Sequence, residues 1–168
     1  MREKKDITVA FTGHRVYDGE ADDRLRSLLQ ELYERGYRRF MTGMAWGFDL
    51  AAGRAVMALK RLYGDVELVA VVPYEAFSAL FHDAALAEYD DVMAAADEVL
   101  YISERGGNAA FRRRNDFLVD NASLVVAWWN HLPTGGTAYT VKRAAKQGCE
   151  IINLSPPAEN DLFTMLEI

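Results

Sequence analysis

The chain has 168 residues, enough for one domain with a sizeable core and too few for two. It is 51% hydrophobic and 26% charged, with 4 Pro and 12 Gly, which excludes disordered, collagen-like and low-complexity classes. The 19 Lys and Arg against 25 Asp and Glu give a net charge of -6, which argues against a non-specific nucleic-acid coat or an anionic-membrane binder. With 1 cysteine, Cys149, the chain can form neither an internal disulfide nor a Cys-based zinc site, and a reducing compartment fits best. The apolar run at Ile7–Phe11 is too short for a signal peptide or a span. The expectation is therefore a cytoplasmic protein off the membrane, with its oligomeric state, homo-oligomer included, left open.

Short β-branched runs alternate with helical patterns. Ile7–Phe11 reads as a first strand ended by Thr12-Gly13, followed by a helix over residues 20–35 with Leu25, Leu28, Leu29 and Leu32 on one face. Arg39–Thr42 is a second strand, and Phe48, Ala51, Ala52, Ala55 and Leu59 give the next helix its buried stripe. Glu67–Val72 is a third strand stopped by Pro73, and a helix over residues 77–96 leads to a fourth at Val99–Ile102. A helix over residues 108–121 precedes the strand Leu124–Trp128. The last helix, Thr137–Gln147, ends at Gly148 and feeds Ile151–Leu154. This alternation predicts a single α/β Rossmann-like domain over residues 1–168, with residues 155–168 as a short C-terminal tail. Its parallel sheet of five to six strands carries helices on both faces, and ligands of such sheets bind beyond the carboxyl ends of the strands.

Three of the strand-to-helix turns carry glycine beside polar groups: Thr12-Gly13-His14-Arg15, Thr42–Gly47, and Thr134-Gly135-Gly136-Thr137. Free N–H groups and the positive helix end at such turns favour an anion, and glycine lets a phosphate approach. Three together favour a phosphate- or nucleotide-sized ligand, although none matches a dinucleotide fingerprint or a P-loop. Arg112-Arg113-Arg114-Asn115 reverses the local charge, since no basic residue lies between Arg61 and Arg105. Consecutive helical residues point about 100° apart, so one or two of these arginines can face a ligand. Arg114 and Asn115 are the choices. Asp49 is either a helix-dipole partner or an acceptor for a ribose hydroxyl. His14 suits a hydrogen-bonding role. Trp46 is placed to stack a base, whereas Trp128 sits in an apolar strand and fits the core. No nucleophile–base constellation stands out, His82 and His131 lack metal-ligand spacing, and no cofactor or metal is expected.

These residues, in four ordered segments, resemble the SLOG superfamily, the Rossmann-like group named for SMF/DprA and LOG proteins. The segments are Val9–Arg15, Thr42–Ala52, Phe111–Asp120 and Gly135–Ala144. The T-G-H-R start and the R-N-x-x-F-V-D pattern are most similar to the YpsA-like branch. The resemblance implies a nucleotide or nucleotide-derived ligand, such as a nucleotide sugar or an ADP-ribose-like compound, bound as a substrate or a sensed signal. It places Gly43, Gly47 and Asp49, then Arg114 and Asn115, then Gly135, Gly136 and Thr137 at that ligand. LOG-type hydrolases are similar to P-G-G-x-G-T-x-x-E, but here the position of the glutamate holds Thr140. Hydrolysis or transfer at an N-glycosidic bond is the alternative, through Asp49 or Asp97. Single-stranded DNA binding of the DprA kind is a third, and the net charge sets nucleic acid aside in favour of a small molecule.

Overall fold

A computed structural model describes residues 3–156, so all but the first two residues of the expected tail lie outside the described residues. Six strands alternate with five helices: β1 (Thr8–Gly13), α1 (Asp22–Glu34), β2 (Arg39–Thr42), α2 (Phe48–Leu62), β3 (Glu67–Tyr74), α3 (Asp83–Ala95), β4 (Glu98–Ser103), α4 (Asn108–Asp120), β5 (Leu124–Trp128), α5 (Gly136–Lys146) and β6 (Glu150–Asn153). All neighbours pair in parallel, in the order β4-β3-β2-β1-β5-β6. The α/β domain with a parallel sheet expected from the sequence is the one observed.

The period of two along each strand sorts the core into two layers. Val9, Phe11, Phe40, Val72 and Val126 face the leucines of α1, the stripe of α2, and Tyr89 and Val92 of α3. Ala10, Met41, Val71 and Val125 face Leu118 and Val119 of α4 and Ala144 of α5. Strands buried on both faces need apolar side chains at successive positions, which is why their runs are continuous rather than alternating. Helix ends follow local chemistry as well. Asp22 and Asp23 sit in the first turn of α1, and Gly36, at φ 102°, takes the left-handed conformation just beyond its end.

Two boundaries differ from expectation. Pro73 does not stop β3, because β2 has ended at the pair Thr42↔Ala70. The strand side that loses a donor to proline has no ladder left to break there. The expected helix over residues 77–96 is split into a 3-10 turn, Glu75–Leu80, and α3. Phe81 is extended between them and packs edge-on against Trp46, Phe77 and Tyr89. Among the described residues no helix is long and apolar enough to cross a membrane.

The chain adds β2, β3 and β4 on one side of β1, then crosses to place β5 and β6 on the other. The topological switch point therefore lies between β1 and β5, whose last paired residues are Gly13 and Trp128. Phe40, 0% exposed, lies on the inner strand β2. Phe40→Ala should cost about 3–5 kcal/mol in urea unfolding, whereas Leu62→Ala, at a side chain 71% exposed, should stay within about 0.5 kcal/mol of wild type.

Candidate functional site

A cleft of about 980 Å3 opens at this switch point. Its walls come from the turn after β1 (Thr12, Gly13, His14, Arg15), the inner side of α4 (Asn108, Phe111, Arg114, Asn115), and the turn into α5 (Gly135, Gly136, Thr137). The α5 turn keeps its donors free. Gly135 has φ 104°, a conformation that suits glycine, and the helix starts immediately after it. Among the described residues the N–H groups of Gly136, Thr137 and Ala138 find no acceptor, and Tyr139 N–H is the first to bond, to Gly135 O at 3.0 Å. Free donors and the positive end of the helix dipole thus meet at the cleft.

The other two glycine turns serve packing. A Cβ on Gly13 would stand 2.5 Å from Phe48, so this glycine lets α2 approach β1. Gly47 has φ 88°, and a Cβ there would lie 2.3 Å from the Arg15 carbonyl. Several donors of the β2–α2 loop are already used. Phe48 N–H reaches His14 O at 3.2 Å, Met44 N–H reaches Thr42 Oγ1 at 3.4 Å, and Ala45 N–H reaches Asp49 Oδ2 at 3.3 Å. Asp49 is thus an internal anion in a turn where sequence reasoning expected a ligand's. Gly43, Trp46 and Gly47 stand behind the cleft wall rather than on it.

Asp49 and Arg114 form the buried floor, 5% and 6% exposed. Arg114 donates from Nε to Asn115 Oδ1 at 2.8 Å and from Nη1 to the Gly43 carbonyl. A Cβ on Gly43 would fall 2.8 Å from Arg114 Cδ and 3.0 Å from Asp49 Oδ2, so only glycine admits both groups. Burial pushes the Asp49 carboxyl up to about 6, against the pull of Arg114, the Ala45 N–H and Arg15. Burial likewise lowers the Arg114 guanidinium, against the attraction of Asp49. Asp49 Oδ1 is buried with no hydrogen-bond partner. Arg15, exposed, lays its guanidinium 4.3 Å above the Trp46 ring and 5.7 Å from the Phe111 ring. Burial holds His14 below its usual value, and its Nε2 accepts the Asn130 N–H at 3.0 Å, a bond only the neutral ring can make.

The three arginines of α4 separate as helical geometry requires. Arg114 is buried, Arg112 is exposed on the rim with its guanidinium 5.5 Å from the Tyr139 ring, and Arg113 turns to Ser103. Thr140 does not line the cleft, because its hydroxyl bonds back to Gly136 O at 2.8 Å. Asp97 stands just before β4, at the opposite edge of the sheet, paired with Lys60 at 2.7 Å and accepting Leu68 N–H at 2.8 Å. Sequence reasoning passed over Asn108, Phe111, Asn130 and Tyr139. The Gly106-Gly107 pair ahead of Asn108 was a readable sign of another glycine turn opening a helix.

Two consequences follow for stability. Arg114→Ala leaves the Asp49 carboxylate buried without its nearest cation, and should cost about 3–5 kcal/mol in denaturant unfolding at pH 7.5. The folded-state value of Asp49, about 6, lies above the ordinary 3.8. The native state therefore binds the proton more tightly, and this stability is full below pH 4 and lost as pH rises through 6. The difference is roughly 3 kcal/mol. Urea titrations from pH 4 to 7.5 should show wild type losing stability relative to Asp49→Asn. A pH-independent difference would mean that Asp49 is ionised throughout.

The model of the YspA SLOG family (YpsA) matches residues 21–152. Among curated relatives, UPF0398 protein BH1768 of Halalkalibacterium halodurans is 26% identical over 118 residues, 69% of this chain and 62% of that protein. The SPbeta prophage-derived protein YoqJ of Bacillus subtilis is 24% identical over 126 residues, 67% of this chain and 74% of that protein. Among solved structures, DNA processing protein A (DprA) of Streptococcus pneumoniae aligns at a TM-score of 0.64 with 22% identity, over 88% of this chain and 50% of that one. The Helicobacter pylori protein, described by its single-stranded DNA binding mode, aligns at 0.66 with 16% identity, over 96% of this chain and 73% of that one. The chain thus spans less than two thirds of the length of the first relative in each comparison. One expectation is corrected: net charge does not set nucleic acid aside, because a protein of this fold binds single-stranded DNA. A charge of -6 is a sum over the whole chain, whereas a strand responds to the field of one cleft, here bordered by Arg15 and Arg112. By the match over most of its length, the chain belongs to the YspA SLOG family.

Proposed function

We propose that the switch-point cleft binds the phosphate of a nucleotide or nucleotide-derived compound, as a sensor or carrier rather than a hydrolase. The observation that carries this reading is the glycine turn into α5. Its free N–H groups, at Gly136 and Thr137, belong to residues that line the same cleft as Arg15 and Arg112. A phosphate there meets donors and positive charge that are already in place. The volume of about 980 Å3 is at the upper end of small-ligand sites and leaves room for a sugar and base. Phe111 and the Arg15 guanidinium supply flat surfaces for a base. Of the residues weighed for glycosidic cleavage, Asp97 is committed to Lys60 and Thr140 to its own helix, while Asp49 lies on the cleft floor facing Arg114. A nucleotide phosphate inside a DNA strand has the same chemistry, so the test includes one.

The test is thermal unfolding with the four ribonucleoside 5′-monophosphates, ADP-ribose, adenosine, and an oligodeoxyadenylate. A phosphorylated compound at about 100 times its Kd should stabilise by roughly 2.7 kcal/mol, or about 5–10 °C in Tm, while adenosine gives little. Chromatography of the same mixtures should recover every compound intact. Arg15→Ala should weaken binding about tenfold to hundredfold with little change in the unliganded Tm, and Arg113→Ala should bind as wild type. No shift from any phosphorylated compound overturns the reading, as does equal loss in both variants. Shifts confined to the oligonucleotide assign the cleft to a strand.

A further inference from the structure

The floor of the cleft holds an anion that belongs to the protein. Asp49 stands at the start of α2, facing Arg114 from α4 and Arg15 from the turn after β1. One carboxylate oxygen accepts the Ala45 N–H, and the other is buried without a partner. Arg114, the one buried arginine on the cleft wall, is therefore opposed by a charge of equal size within the same desolvated space. Burial holds His14 below its usual value, and its Nε2 accepts the Asn130 N–H.

We infer that Asp49 is a charge-selecting residue, which makes the cleft prefer a phosphodiester group, bearing one negative charge, over a terminal phosphomonoester bearing two. The selection deepens the nucleotide reading and rests on it. With Asp49 ionised it cancels Arg114. The attraction left for a ligand is that of Arg15 at the surface, with Arg112 further out on the rim, and the partial charge of the α5 N-terminus. One negative charge matches that field. A second charge must share the desolvated floor with the Asp49 carboxylate, and like charges in a medium of low dielectric repel strongly. Terminal phosphates carry that second charge above about pH 6. Phosphodiesters do not. Two sources present the favoured group: the internal phosphates of a nucleic-acid strand, and small molecules in which phosphate links two organic parts.

The preference should also depend on pH. The Asp49 carboxyl takes up its proton near pH 6, with the guanidinium groups of Arg114 and Arg15 facing it. Once Asp49 is neutral, Arg114 is no longer cancelled. Diester affinity should then rise as pH falls through 6, because the diester's own charge is constant there.

The experiment compares the four ribonucleoside 5′-monophosphates with their 5′-phosphate methyl esters, by isothermal titration at pH 7.5. Each pair shares base and sugar and differs by one charge. Wild type should bind the methyl ester about tenfold more tightly than its parent, and Asp49→Asn should lose or reverse that preference. The second measurement needs no variant: methyl-ester affinity in wild type should rise at least threefold from pH 7.5 to 5.5. Wild-type preference for the monoesters, an unchanged ratio in a folded Asp49→Asn protein, or an affinity flat with pH would each overturn the charge selection and leave nucleotide binding standing. If none of the eight compounds binds at millimolar concentration, while ADP-ribose and oligodeoxyadenylate also fail, the nucleotide reading itself falls. Binding of the diester-containing oligodeoxyadenylate without ADP-ribose points to a strand as the source, and the converse points to a small molecule.

Discussion

A buried carboxylate and a buried guanidinium meet at Gly43, and much of the site follows from keeping them there. Neither charge could be taken from water alone, since desolvation costs several kcal/mol per ion. Asp49 is held by the Ala45 N–H and the field of Arg114. Arg114 is fixed by Asn115 and the Gly43 carbonyl. Gly43 has no side chain because both groups occupy that space, and the next residue, Met44, adopts φ 67°. Three elements, β2, α2 and α4, are thereby pinned to one another at the carboxyl edge of the sheet. An arginine that holds this floor together also faces the cleft, so its loss disturbs folding before binding can be read from it.

The same arrangement divides the glycine turns by role. One turn, at α5, leaves its donors open. Another, at α2, gives the N–H groups of Met44, Ala45 and Phe48 to the chain's hydroxyl, carboxylate and carbonyl groups. The turn after β1 uses glycine for close packing against Phe48. Similar composition thus hides three different physical uses, which close packing and the partners of the backbone N–H groups separate.

Membership of the YspA SLOG family and a fold shared with DprA set the frame, while the particular chemistry comes from this chain's own residues. Thr140 is an instance. Its hydroxyl closes on the helix backbone and presents no charge, so Thr140 supports the start of α5. Arg15 is another, resting between Trp46 and Phe111 with its charge outward. The aromatic residues around it pack edge to face, Trp46 on Phe81 and Phe77 on Phe111, and of these Phe111 lines the cleft.

By itself the sequence determined the strands, the helices and the parallel sheet, because burial on both faces demands continuous β-branched runs and burial on one face demands a helical stripe. Those are local periodicities, and Arg39–Thr42 and Leu124–Trp128 were legible to the residue. The separation of Arg114 from Arg112 and Arg113 was legible for the same reason, since 100° per residue allows no other outcome. The tertiary structure decided what no period encodes. It placed β5 beside β1, ran β3 through Pro73 where no ladder remained, and sent Asp97 to the edge opposite the cleft. It turned the charge of Asp49 inward against Arg114, a residue 65 positions away. Such pairings depend on which groups share one desolvated space, and only the folded chain brings those groups together.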